Sequence, residues 1–66
     1  MHKRILEIRE TSTVTATEAA AKHFGLTFRH ARNGLDTEYV IEGPDHLAQT
    51  INTLVEKVDY IEGATL

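Results

Sequence analysis

The dipeptide Asn33-Gly34 constrains this chain more than any other feature, because it stands between two runs that alternate apolar and polar side chains. A type I′ turn needs positive φ at two consecutive residues, and Asn-Gly adopts that pair at low cost. The spacing predicts a hairpin over residues 26 to 42. In the register set by that turn, Arg32 faces Leu35, Ala31 faces Asp36 and His30 faces Thr37. Further from the tip, Arg29 faces Glu38, Phe28 faces Tyr39, Thr27 faces Val40 and Leu26 faces Ile41. One face then stacks Phe28 on Tyr39, and the other sets Arg29 against Glu38. The same dipeptide divides the charge. Residues 1 to 32 carry six of the seven Lys and Arg against three acids, and residues 33 to 66 carry Lys57 against seven acids. Folding the hairpin cancels much of that contrast and leaves an acidic remainder on the C-terminal segment.

Residues 3 to 10 read as a strand with Leu6 and Ile8 inward and Ile5, Glu7 and Arg9 outward. The β-branched residues 11 to 15 either extend it or return beside it. Thr15 and Glu18 have the spacing of a capping box, which predicts a helix over residues 16 to 24 with Ala16, Ala20 and Phe24 inward. Glu18 and Lys22 form an outward i,i+4 pair, and Gly25 is the expected left-handed stop. Gly43-Pro44-Asp45 ends the hairpin and starts a second helix with Asp45 as N-cap. Leu47, Ile51, Leu54, Val55 and Val58 supply its core stripe. Ile61 and Gly63 suit a long helix, because no turn signal separates Lys57 from Asp59. Residues 58 to 62 are alternatively a fourth strand, since Asp59 and Glu62 are unfavourable near a helix C-terminus. The expected fold is one α+β domain over residues 1 to 66, a three- or four-stranded antiparallel sheet with two helices on one face. Its order is β-α-β-β-α, or ferredoxin-like β-α-β-β-α-β.

A chain of 66 residues without cysteine must draw its stability from apolar burial. Domains of this size reach only about 5 kcal/mol or less as monomers, which makes self-association an expectation. No apolar run approaches the roughly 20 residues of a membrane span. The expected location is cytoplasmic. A net charge of −3 disfavours phosphate binding and favours a neutral or basic protein partner.

Candidate chemistry is sparse. Arg29, His30 and Arg32 form a basic stretch, but the hairpin sets acids beside it. Phe28 and Tyr39 have the residue type for base stacking, yet share a face with Leu26 and Ile41 and are expected in the core. His2, His23, His30 and His46 match no metal-ligand spacing, and Ser12 has no helper, so neither cofactor nor catalytic group is expected. Threonines in residues 11 to 17 precede a helix start, where an anion can bind, although capping and β-propensity account for them. Comparison with the amino-acid-binding ACT domain rests on element order alone, and the glycine its ligand turn usually carries has no counterpart here.

Two surfaces are therefore expected to carry function. The outer side of the second helix offers Gln49, Asn52, Thr53, Glu56, Asp59, Tyr60 and Glu62 to a protein partner. The open sheet face offers Ile5, Glu7, Arg9, Glu38 and Val40 for self-association, with a homodimer as the product. The leading expectation is a non-enzymatic protein-interaction module. A small acidic inhibitor that fills a nucleic-acid-binding groove, of the viral anti-CRISPR or anti-restriction type, is second. A small-molecule sensor of ACT type is third.

Overall fold

The computed structural model describes residues 1–32 and 37–64, with the backbone alone at positions 32 and 64. Within them the chain forms strand β1 (His2–Glu7), helix α1 (Thr11–His23), strands β2 (Thr27–Arg32) and β3 (Glu38–Gly43), a 3-10 turn (Asp45–Leu47) and helix α2 (Ala48–Ala64). The sheet order is β1-β3-β2. Both outer strands run antiparallel to β3 and so parallel to each other, and α1 is the crossover that makes this possible. This is the three-stranded, two-helix α+β arrangement. Residues 58 to 62 belong to α2 and form no fourth strand.

One cluster holds the core: Leu6 and Ile8 from β1 and its end, Ala21 and Leu26 around the end of α1, Ile41 from β3, and Ile51, Val55 and Val58 from α2. The α2 stripe continues at Glu62, which is 7% exposed, whereas Ile61 is 46% exposed. Ile61 therefore does not extend the core stripe.

The end of α1 follows its glycine. Gly25 has φ +74°, the Gly25 N–H donates to Lys22 O at 3.1 Å and the Leu26 N–H donates to Ala21 O at 2.8 Å. That is the Schellman pattern, and Leu26 and Ala21, the positions whose apolar side chains usually accompany it, both belong to the core cluster. The start of α1 differs from the sequence expectation. The helix begins at Thr11, four residues before the expected cap at Thr15, and no side chain caps it. The Thr15 hydroxyl instead donates to Thr11 O at 3.2 Å, one turn back. Buried positions are Thr13, Thr17 and Ala21, with Ala16 and Phe24 exposed and Ala20 half-buried. Extending the helix N-terminally rotates its threonine stripe onto the core. Asp45 likewise is no N-cap: its Oδ1 lies 2.8 Å from the Met1 ammonium, which holds its carboxyl below the ordinary 3.8.

The hairpin forms with a different register. Thr27 pairs with Glu42, Phe28 with Ile41, Arg29 with Val40 and His30 with Tyr39, and a bulge at Ala31 precedes Arg32 opposite Glu38. The Asn33-Gly34 turn, with Leu35 and Asp36, lies outside the described residues. From Thr27 to His30 the expected pairs are displaced by two positions, which leaves those side chains on their expected faces, and beyond the bulge Arg32 is displaced by three. Alternation therefore does not distinguish the two registers. Arg29 accordingly pairs with Glu42 (Nε to Oε1, 3.2 Å) instead of Glu38. Phe28 and Tyr39 still stack, at 5.1 Å and 7°, as diagonal neighbours.

Candidate functional site

The helices pack on the face carrying Leu6, Ile41 and Phe28, and their own junction is left open above it. Along that junction runs a groove of about 380 Å³ with Ala16, Ala20 and Phe24 on the α1 wall and Leu54, Val58 and Ile61 on the α2 wall. Glu10, Ser12 and Lys57 stand among its polar lining. A second hollow of about 250 Å³ shares Phe24, Leu54 and Lys57 and adds Gln49, Thr50 and Thr53. Phe24 and Ile61 are each 46% exposed. Apolar concave surface between two helices is a docking geometry for a partner's side chains or helix.

Ala16, Ala20 and Phe24 form a stripe at helical spacing, and that stripe suggests a core face. Burial of the threonine stripe displaces it outward, so the better apolar face of α1 borders the groove.

The seven α2 residues expected on one face point three ways. Gln49, Thr53, Glu56 and Tyr60, at spacings of four, three and four, form the exposed outer stripe, with Tyr60 at 79% exposure. The Thr53 hydroxyl is turned to Gln49 O at 2.9 Å. Asn52 is half-buried toward β1, where its Oδ1 accepts from Arg4 Nη1 and meets His2 Nε2, each at 2.9 Å. Asp59 lines a hollow of about 160 Å³ with Glu7, Arg9, Glu62 and Gly63 at the end of β1. Glu62 is not on the outer face at all. Its Oε1 accepts the Glu10 N–H at 3.5 Å, which places a carboxylate at the positive end of the α1 dipole.

On the sheet side the ladder brings Ile5 opposite Val40 and Glu7 opposite Glu38. Ile5 is 58% exposed and Val40 only 4%. Val40 sits on the central strand between Ile5 and Arg29, and so is covered without a second layer. Arg9 lies beyond the last residue of β1, at the end hollow. Among the described residues, no group of three or more His, Asp or Glu is placed to hold a metal. Among the same residues no helix is long and apolar enough to cross a membrane.

No protein-family model matches the chain, and neither curated proteins nor solved structures provide a match.

Proposed function

We propose that this domain is a non-enzymatic protein-binding module that docks on a larger protein through the α1–α2 groove and associates with itself through its sheet side. The groove carries the reading. Two half-exposed large apolar side chains, Phe24 and Ile61, border a continuous apolar hollow in a domain with few core residues to spare. Such side chains contribute most of the binding energy when a partner removes them from water. The outer stripe adjoins that docking surface at Gln49 and Thr53, with Glu10 and Lys57 in the polar rim, which favours a partner that presents an apolar anchor flanked by polar groups.

The inhibitor alternative draws on the exposed α2 acids Glu56 and Asp59, a smaller set than expected because Glu62 is buried. The sensor alternative asks for a pocket at the junction of residues 11 to 17, where Ser12, Thr13 and Thr17 line the groove, and it would favour a ligand that is not an anion, since the Glu62 carboxylate already stands at the start of α1. The deciding experiment is quantitative capture of a partner by the native domain and by Phe24→Ser and Ile61→Ser variants that keep the native circular dichroism. Groove docking predicts at least roughly tenfold weaker binding in each, as for an interface anchor. Undiminished binding by both variants would remove the groove from the reading.

A further inference from the structure

β1 is an edge strand. It pairs with β3 on one side, and among the described residues no backbone hydrogen bond reaches its other side. An open edge of this kind is a template for a further strand. We infer that β1 pairs with β1 of a second copy, antiparallel and centred on Ile5, so that two three-stranded sheets become one. The inference rests on the self-association proposed above and specifies its geometry.

Charge and face select that register. Pairing about Ile5 sets Lys3 against Glu7 of the second copy, twice by symmetry, and Arg4 against Leu6. The two Ile5 side chains, each 58% exposed in the single chain, then meet on the face that carries Val40. Centring on Arg4 would oppose the two Arg4 side chains, and centring on Leu6 would set Glu7 against Ile5. Moving the pairing by a single residue would turn the helix-covered face of one copy onto the open face of the other. Asp59 adds to the acidic end, sharing a hollow with Glu7 and Arg9, while His2, Lys3 and Arg4 mark the opposite end of β1. Antiparallel pairing brings unlike ends together. The other edge does not offer this. β2 carries Arg29, His30 and Arg32 with no acid, and it has a bulge. Two β2 edges would oppose like charges.

Sedimentation equilibrium gives the first readout, with a monomer–dimer equilibrium expected. Lys3→Glu and Glu7→Lys, checked for native circular dichroism, each make the two cross-strand contacts repulsive and should weaken the dimer roughly tenfold. An equimolar mixture of the two variants should recover it, because in the mixed pair both contacts are attractive. Cysteine placement gives the second readout, since the native chain has none. Ile5→Cys should oxidise readily to a linked dimer. Lys3→Cys, on the same face, should not, because its two copies would stand roughly 13 Å apart, beyond disulfide reach. A strict monomer at high micromolar concentration would overturn both self-association and this geometry. A dimer that links no faster through Ile5→Cys than through Lys3→Cys, or that ignores the charge variants and their mixture, would overturn the β1 pairing alone. A ladder of higher oligomers would overturn the closed two-fold arrangement.

Discussion

Gly43 and Gly25 show how single residues carry different loads. A Cβ built on Gly43 would lie 2.5 Å from Leu26 Cδ2, so any side chain there requires the end of the buried Leu26 to shift. Gly43→Ala is expected to cost about 1–3 kcal/mol by overpacking. The cost should shrink in a Leu26→Val background, and a double-mutant cycle in denaturant reads that coupling. Around Gly25 nothing lies within 4 Å, and the requirement is conformational, so Gly25→Ala is expected to cost about 1–2 kcal/mol through its φ of +74°. Asp45 is an electrostatic case. Its folded pKa lies below 3.8 because of the Met1 ammonium, so its contribution is present above that pH and disappears as pH falls through the folded value. N-terminal acetylation should raise the Asp45 midpoint observed by NMR. An unchanged midpoint would show that the ammonium is not the cause.

At the scale of elements, α1 and the hairpin separate what local pattern specifies from what packing specifies. Thr15 has the spacing of a capping residue but sits inside the helix, with its hydroxyl turned to Thr11 O. Thr15→Ala should therefore be neutral or slightly stabilising, since alanine is the better helix former, against a loss of about 1 kcal/mol for a true N-cap. Thermal unfolding distinguishes the two. The hairpin register makes a parallel prediction: coupling energy of about 0.2–1 kcal/mol resides in Arg29 with Glu42, and Arg29 with Glu38 shows less. Pattern reading found both strands, their faces, the Phe28–Tyr39 stack and the Gly25 stop, because these follow from alternation and backbone sterics. It missed the register because a displacement of two residues leaves the alternation unchanged. It missed the start of α1 because threonine has no strong preference for a helix interior, so only contacts with the rest of the fold decide.

For the whole molecule, a small core and several exposed apolar side chains make stability and association linked quantities. Ile5, Phe24, Tyr60 and Ile61 all remain at least 46% exposed. If two copies associate only when folded, the unfolding midpoint should rise with protein concentration over a roughly hundredfold range, as linkage requires. A midpoint independent of concentration would indicate a monomer throughout. The chain alone determined the α+β class, the succession β-α-β-β-α through the start of the second helix and the absence of any thiol chemistry, while leaving residues 58 to 62 open between helix and fourth strand. Those properties follow from periodicity, backbone conformation and residue type, which are local. Tertiary structure decided which stripe of α1 turns inward, where Arg29 finds its acid, and that Glu62 is buried at the start of α1 while Ile61 borders a groove. Each of these depends on segments distant in sequence meeting at one point, and the free energy that selects them exists only once both are in place.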